Sequence, residues 1–316
     1  MIVVFTGGTG GAKLVQGLHQ VVAPEQLTVI VNTGDDLEWW GLHVSPDIDS
    51  VLYALAGMLS KDRGWGVGGD SFRCLERMKE LGQQSWFSLG DLDLATHLTR
   101  TAILRSGKSL SEATAELAAK MGIREHVLPM SDDRVSTMLE TTQGTLTFQE
   151  YFVRERHQVE VRAVRFVGAE QARPAPGVTD SIEHADAVIF APSNPVTSIG
   201  PILAVPGIRQ ALRKCSVPVI AVSPIVGGAA VSGPAGKLME MMGWPCSISG
   251  VAKAYEDFLD LLVVDKADEC EAERLRSGSL RVECTRTIMR SDEDKRVLAQ
   301  FVLRQLTESR VAAALH

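Results

Sequence analysis

The sequence IVVFTGGTGGAKLVQGLHQVVAPEQLTVIV, residues 2–31, contains the clearest structural pattern in the chain. Its two ends, 2–6 and 27–31, are short runs of β-branched and other apolar residues, which favour strands. Between them Leu14, Leu18 and Val21 are spaced three or four residues apart, which predicts a helix. A strand, a helix and a second strand in this order favour a parallel pair of strands.

Three later apolar runs are predicted as further strands, at 187–191, 217–222 and 260–264. Continuous apolar runs of this kind are typical of parallel strands covered on both faces. Residues 293–306 are predicted to form a helix with Val297, Phe301 and Leu303 on its apolar side. The sequence therefore predicts an α/β protein with a doubly wound, mostly parallel, Rossmann-like sheet.

The middle of the chain departs from this alternation of strands and helices. Residues 92–122 are predicted to be largely helical, and residues 145–167 alternate on both sides of a charged centre, which predicts an antiparallel hairpin. We therefore expect a helical and hairpin insertion at 65–175 and a Rossmann-like core formed by 1–64 and 176–316.

The composition is that of an ordinary globular protein, with 45% hydrophobic and 22% charged residues among 316. Thirty-two Lys and Arg against 39 Asp and Glu give a net charge of −7, which argues against a general nucleic-acid-binding protein. We find no run of about 18 apolar residues and no basic signal-peptide region, so no membrane span is expected. Five cysteines without Cys-x-x-Cys spacing indicate reduced thiols and a cytoplasmic location.

The first predicted strand leads into a glycine-rich loop, TGGTGGAK, at residues 6–13. Glycines allow a ligand to approach the backbone closely, and the following helix N-terminus presents unpaired N–H groups with partial positive charge. The loop is not a dinucleotide fingerprint, because Lys13 stands where that motif needs its last glycine. It is not a Walker A loop, because Ala12 precedes Lys13 and Leu14 follows it. A tight turn without a ligand is the alternative to a phosphate site. The candidate phosphate-binding residues are Gly8, Thr9, Gly10, Gly11 and Lys13.

Acidic residues follow the second predicted strand. Asn32, Asp35 and Asp36 come directly after it, and Asp47 opens the next helical pattern. Because ligands of open α/β sheets bind at the carboxyl ends of the strands, these residues should lie beside the glycine loop. A phosphate and carboxylates repel unless a cation lies between them, so a Mg²⁺ site that includes Asp47 is predicted. The alternatives are a helix cap for Asp47 and a solvated turn for the two earlier aspartates.

Four further residues are candidates for substrate binding. Trp39 belongs to a pair of adjacent tryptophans, which either pack in the core or offer one ring to a planar ligand. Asp91 belongs to the segment GDLDLATH, which supplies two carboxylates and a histidine. Ser193 and Asn194 follow the third predicted strand and either bind a base or phosphate or form a simple turn. No Ser-His-Asp or Cys-His pattern that would indicate a protein nucleophile is evident.

These motifs occur together in an order that resembles a known family. The segments that carry the resemblance are GGTGGAK (7–13), NTGDD (32–36), GLHVSPDID (41–49), GWG (64–66), GDLDLATH (90–97) and APSNP (191–195). The set resembles the 2-phospho-L-lactate transferase family of coenzyme F420 biosynthesis. The likeness runs from residue 2 to about residue 265.

The resemblance implies a Mg²⁺-dependent transferase. Such enzymes move a 2-phospho-L-lactyl group, or a phosphoenolpyruvyl group in some bacteria, from a guanosine-diphosphate-linked donor to the deazaflavin Fo, and GMP is released. It implies that Asp47 lies at the metal and deazaflavin site, as metal ligand or as the group that orients the hydroxyl. The glycine loop and Ser193-Asn194 would form part of the nucleotide site, and the insertion would contribute to the acceptor site. Many relatives carry arginine where this chain has Leu92.

Two other classes of protein compete with the transferase. A nucleotide-sugar-binding regulatory protein resembling gluconeogenesis factors would share the opening strand, glycine loop and helix. A nicotinamide-dependent oxidoreductase is disfavoured by the interrupted fingerprint. For the transferase we expect two small-molecule substrates, no nucleic-acid or membrane partner and, as the commonest default, a homodimer.

Overall fold

The computed structural model describes residues 1–276 and 280–314, and its centre is a parallel sheet. In chain order the strands are β1 (Ile2–Thr6), β2 (Leu27–Val31), β3 (Leu37–Trp39), β4 (Leu42–Val44), β5 (His126–Pro129), β6 (Ser136–Thr141), β7 (Gly144–Thr147), β8 (Val161–Val167), β9 (Ala187–Phe190), β10 (Val219–Val222), β11 (Ile225–Val226), β12 (Ala229–Ala230), β13 (Leu261–Asp265) and β14 (Arg281–Thr285).

Helices cover both faces of this sheet. The helices of the described residues, not all of which pack on the sheet, are α1 (Gly8–His19), α2 (Pro46–Leu55), α3 (Arg73–Glu80), α4 (Asp91–Arg105), α5 (Leu110–Lys120), α6 (Val178–Glu183), α7 (Gly200–Ala204), α8 (Ile208–Lys214), α9 (Ala235–Met241), α10 (Ile248–Ala254), α11 (Glu269–Arg276) and α12 (Asp292–Ala314). Short 3₁₀ turns lie at Pro24–Gln26, Ala169–Gln171 and Lys266–Asp268, and a π-helical turn lies at Glu150–Arg154.

The central sheet of the described residues has seven strands in the order β14-β13-β10-β9-β1-β2-β5, and every neighbouring pair is parallel. Along β1, Val3 and Phe5 join one buried core layer and Val4 joins the other. Both faces of the strand therefore need apolar residues, which explains its continuous apolar sequence. The predicted α/β class with a doubly wound parallel sheet is confirmed.

Two edge strands of the sheet were not predicted. β5 lies inside the range 65–175 that was assigned to the insertion, yet it pairs with β2 in the central sheet. β14 pairs with β13 at the opposite edge. The range predicted as the insertion therefore contains one strand, at 126–129, that belongs to the central sheet. The division of the chain into a core and an insertion otherwise stays a prediction.

The hairpin predicted within 145–167 is wrong. β7 and β8 do not pair with each other; each pairs with β6, which precedes them and lies between them in a three-stranded antiparallel sheet. The segment between β7 and β8 contains the π-helical turn, whose Tyr151 is fully buried. The helices predicted within 92–122 are confirmed as α4 and α5.

The C-terminal helix is confirmed as α12, which packs against α1. Its predicted apolar side is partly wrong, because Val297 is 42% exposed while Leu298 and Val302 are buried in the core layer. Among the helices of the described residues, we find none that combines the length and the apolar character needed to cross a membrane.

Candidate active site

A cavity of about 820 Å³ opens at the carboxyl ends of the central strands. The loops that follow β1, β9 and β10 line it, at Gly7–Gly10, Pro192–Asn194 and Ser223–Pro224 respectively. The first turn of α2 contributes Asp47 to the same wall. This is the edge at which open α/β sheets bind ligands.

The glycine loop packs tightly against the turn that follows β9. A Cβ atom on Gly10 would lie 2.8 Å from the carbonyl oxygen of Pro192, and one on Gly11 would lie 2.5 Å from Ser193 Oγ. The backbone N–H of Gly7 donates a hydrogen bond to the same Ser193 oxygen at 3.2 Å. Close packing therefore explains Gly10 and Gly11, and the two loops form one continuous wall.

The N-terminus of α1 is open to an anion. The helix begins at Gly8 with no acidic residue in its first turn and no side-chain cap, so its first N–H groups and the positive end of its dipole lie at the cavity. Lys13, one turn further on, also lines the cavity, and no ion pair to it is found in the described part of the chain. This arrangement suits a phosphate group.

Asp47 is a buried carboxylate beside this loop. It is 7% exposed and accepts a hydrogen bond from Asn32 Nδ2 at 2.9 Å. Burial raises the pKa of Asp47 to about 6, although the Asn32 amide and the Gly8 N–H favour the charged form. The N-cap position of α2 is held by Ser45, so these contacts do not make Asp47 a helix cap.

Asp35 is a second buried carboxylate in the cavity wall. Burial, and after it the charge of Asp47, raise the pKa of Asp35 well above its ordinary value. Its Oδ1 atom has no hydrogen-bond partner within the described residues. A divalent cation bound by Asp35 and Asp47 would relieve the burial cost and the mutual repulsion together.

Asp49 and Asp93, in contrast, have charged or hydrogen-bonding partners. The two Nη atoms of Arg100 donate to the two carboxylate oxygens of Asp49, one of them at 3.1 Å. The Tyr53 hydroxyl donates to Asp93 Oδ1 at 2.7 Å, and His97 Nε2 lies 3.3 Å from the same oxygen. Asp49, Asp93 and His97 lie close enough together to hold a metal ion, but Arg100 already neutralises Asp49.

The charge state of Asp93 follows from these contacts. Burial alone would raise the pKa of Asp93, but the hydrogen bonds and charge of His97, with the Tyr53 hydroxyl, outweigh burial and hold this pKa below its ordinary value. Asp93 is therefore an ionised hydrogen-bond acceptor in the cavity wall. The carboxylates that lack a compensating cation are Asp35 and Asp47.

Most of the predicted site residues come together in this cavity. Those that line it are Gly8, Thr9, Gly10, Lys13, Asp35, Asp47, Ser193 and Asn194. Gly11 and Asn32 lie directly behind the lining, against Ser193 and Asp47 respectively. The structure does not bring Asp36, Trp39 or Asp91 into the cavity lining.

Asp36 and Trp39 line a separate pocket of about 480 Å³. Asp36 Oδ2 accepts hydrogen bonds from His43 Nε2 at 2.9 Å and from Ser45 Oγ at 2.7 Å, which fixes the short β3–β4 hairpin against α2. Trp39 is 5% exposed and packs edge-on against Trp86, with ring centroids 4.7 Å apart. Most of the Trp39 side chain is therefore packed in the protein interior, as the core-packing interpretation of the tryptophan pair expected.

Asp91 caps a neighbouring helix. Its Oδ1 atom accepts a hydrogen bond from the backbone N–H of Cys74, in the first turn of α3, at 3.0 Å. Two residues further along α4, Asp93 faces the cavity, because positions two apart on a helix point about 200° apart. Leu92, between these two aspartates, is 53% exposed and does not line the cavity.

Several cavity residues were missed by the sequence analysis. Tyr53 stands four residues after Asp49 on the same face of α2, and this spacing is a signal that could have indicated it. Arg63 and Trp65 come from the loop after α2, and Phe152 comes from the π-helical turn. Residues 287–290 line the cavity from the far end of the chain, and no motif in their sequence indicates this.

Comparison with known proteins supports an enzyme site. A family model described as 2-phospho-L-lactate transferase CofD matches residues 2–302. The chain is 45% identical over 305 residues to the 2-phospho-L-lactate transferase of Methanosarcina mazei, covering 96% of this chain and 99% of the relative. It is 42% identical over 315 residues to the phosphoenolpyruvate transferase of Streptomyces griseus, covering 98% and 99%.

Among solved structures, a UPF0052-family protein from Bacillus halodurans aligns with a TM-score of 0.64 and 17% identity, over 96% of this chain and 98% of that chain. This likeness confirms the fold alone. The near full-length matches confirm the family inferred from the motifs. By this homology the chain is a transferase acting on small molecules, and it belongs to the 2-phospho-L-lactate transferase family.

Proposed function

We propose that the protein transfers a 2-phospho-L-lactyl or a phosphoenolpyruvyl group from a guanosine-diphosphate-linked donor to the deazaflavin Fo, with release of GMP. The observation that carries the proposal is the buried pair Asp35 and Asp47, without a compensating cation, beside a glycine loop and a helix N-terminus that has no side-chain cap. Relatives named for either transferred group are 45% and 42% identical, so both donors remain candidates.

Mg²⁺ fits the chemistry of this wall. We propose that Asp47 and Asp35 hold the ion together with donor phosphate oxygens and water, since carboxylate and phosphate oxygens are its preferred ligands. When bound, the ion neutralises charge on the diphosphate during transfer. The glycine loop and Lys13 bind the remaining phosphate charge, and Ser193 and Asn194 complete the nucleotide wall.

The transfer itself needs alignment more than a protein nucleophile. The acceptor hydroxyl oxygen forms a bond to the phosphorus that carries the transferred group. The bond from this phosphorus to the bridging oxygen breaks, and GMP leaves with that oxygen and the electron pair. Asp47 is ionised near neutral pH, so it accepts a hydrogen bond from the attacking hydroxyl or takes its proton. Positioning and charge stabilisation supply the rate enhancement.

A mass-spectrometric assay with Fo and each of the two donors tests this function. We expect the coupled product and GMP in equal amounts with Mg²⁺ present, and loss of both products when EDTA is added. Tight binding of UDP-N-acetylglucosamine with no preference for guanine nucleotides, and no product from either donor, would instead indicate a nucleotide-sugar-binding regulator.

The stabilising effect of Mg²⁺ should depend on pH. The pKa of Asp47 rises from 3.8 to about 6 on folding, so the unfolded chain loses this proton first as the pH increases. Burial of Asp47 therefore weakens the metal-free fold as the pH rises between these values, and the penalty persists above them. We expect Mg²⁺ to raise the melting temperature at about pH 8 and to have little effect at about pH 5, where protons compete for the carboxylate.

The control for this measurement is Asp180→Asn, an exposed aspartate in the first turn of α6. It should keep the full pH-dependent Mg²⁺ effect, whereas Asp47→Asn should lose it. An equal Mg²⁺ effect at both pH values, or one that persists in the Asp47 variant, would contradict the assignment of the ion to Asp47.

Lys13→Ala should weaken donor binding. Lys13 supplies a full positive charge one turn into α1, so its removal should lower donor affinity about tenfold, which corresponds to roughly 1.4 kcal/mol. Additional Mg²⁺ should restore only part of the loss, because the ion cannot replace a charge fixed to the helix. Isothermal titration checks this, with Lys120→Ala on the exposed end of α5 as the matched control. Unchanged affinity would remove Lys13 from the donor site.

A further inference from the structure

Arg63 stands out among the charged groups that line the cavity. It lies on the loop between α2 and α3, which also brings Trp65 and Gly66 to the cavity mouth. This loop takes no part in the site as derived so far, which uses residues at the strand ends and on α1, α2 and α4. The sequence of this loop contains no recognised anion-binding motif.

The guanidinium of Arg63 is held in place by uncharged groups. The Cζ atom of Arg63 lies 5.0 Å from the centroid of the Phe72 ring and 5.5 Å from the centroid of the Trp65 ring. One Nη atom donates to the backbone carbonyl of Val67 at 2.7 Å. These contacts fix the side chain in one orientation before any ligand arrives, so little conformational entropy is lost on binding.

Within the described residues, no carboxylate neutralises the Arg63 guanidinium. The Nε atom of Arg63 is buried and has no hydrogen-bond partner, and no acidic side chain within the described ranges lies at ion-pair distance. A half-buried guanidinium without a counter-ion is costly, and its unused donors point to an anionic ligand.

The other cations of the cavity cannot take the same role. Lys13 stands at the glycine loop and is accounted for by the phosphates. Arg100 does not line the cavity and is committed to Asp49. Arg290 reaches the lining from an exposed position after β14 and lacks the aromatic support that fixes Arg63.

We propose that Arg63 binds the carboxylate of the group being transferred, an inference that rests on the proposed function. Both candidate donors carry one carboxylate in addition to their diphosphate. The glycine loop, Lys13 and a divalent cation meet the phosphates, which leaves the carboxylate without a partner. A planar guanidinium with free N–H donors fits a carboxylate geometrically and electrostatically. Arg63 thereby selects donors that carry an acid group over GDP itself.

Titration calorimetry with the donor and with GDP, which lacks the carboxylate, tests the inference. The wild-type protein should bind the donor more tightly than GDP. Arg63→Gln should lower donor affinity at least tenfold and leave GDP affinity within about twofold. Arg63→Lys keeps the charge but loses the planar fork, so it should recover only part of the selectivity. The exposed substitution Arg77→Gln on α3 is the matched control and should change neither affinity.

Each outcome bears on the inference. Equal losses for donor and GDP in Arg63→Gln would indicate a general loop or phosphate role and overturn it, as would unchanged donor affinity. In either case normal transfer to Fo by the wild-type protein would leave the proposed function standing. Absence of donor binding and transfer in the wild-type protein would overturn both, and the wild-type control separates these results.

Discussion

Replacing Asp47 with asparagine is expected to lower turnover at least ~100-fold, equivalent to about 2.7 kcal/mol of transition-state stabilisation. The substitution keeps the size of the side chain but removes the negative charge that the proposed Mg²⁺ ion and acceptor hydroxyl would need. The hydrogen bond that Asn32 Nδ2 donates to residue 47 would also be disturbed, because an amide offers one oxygen acceptor where the carboxylate offers two. Single-turnover measurement of GMP release at saturating donor and Mg²⁺ gives the rate of the chemical step.

The same variant should fold normally, and this distinguishes catalysis from structure. Because burial penalises the charge of Asp47, its neutral replacement should leave the metal-free protein at least as stable near neutral pH. Thermal unfolding and circular dichroism check this, with Asp180→Asn as the control for the loss of one surface charge. Near-normal turnover in Asp47→Asn would show that the carboxylate is not required for transfer.

Gly11→Ala is expected to reduce turnover by about 100-fold and to destabilise the fold by about 1–3 kcal/mol. The added Cβ would lie 1.9 Å from Thr6 Oγ1 and 2.5 Å from Ser193 Oγ, so the loop or the turn after β9 must shift. A shift of about 1 Å at the phosphates is enough to misalign the reacting atoms. Chemical denaturation measures the loss of stability, and single-turnover GMP release measures the loss of turnover.

Gly68→Ala is the matched control for stability. Gly68 has an ordinary backbone conformation, and a Cβ there would meet its nearest atom at 3.5 Å, which is normal van der Waals contact. The free energy of unfolding of the Gly68→Ala variant should stay within about 0.5 kcal/mol of the wild-type value. If Gly11→Ala retained both stability and turnover, the tight junction between the glycine loop and Ser193 would not matter for the site.

The core of the fold could be predicted because its strands are covered on both faces. β1, β2, β9, β10 and β13 all read as continuous apolar runs, and their observed ends lie close to the predicted ones. β5 and β14 could not be predicted in this way, because edge strands are only partly covered. His126, Pro129 and Arg281 interrupt their apolar pattern, and their burial is mixed.

The site could be predicted only where it depends on strand ends. Asp47 and the glycine loop were indicated because the carboxyl ends of parallel strands meet at one edge. The choice between Asp91 and Asp93 needed the orientation of α4, which a motif does not contain. Arg63 and residues 287–290 reach the cavity through tertiary packing alone, over long separations in sequence. A local pattern cannot show such contacts.

The position of β1 has a consequence for the order of synthesis. β1 lies in the middle of the sheet, and its neighbour on one side, β9, is made much later: Ile2 pairs with Ala187. A nascent chain therefore exposes an apolar strand with one free edge until its partner has left the ribosome, and such edges invite aggregation. Since Gly7 also needs Ser193 as its hydrogen-bond acceptor, a ribosome-bound fragment that stops before that turn should not retain guanine nucleotide. The protein thus acquires its ligand site late in translation, and chaperones that shield nascent chains are expected to raise its yield.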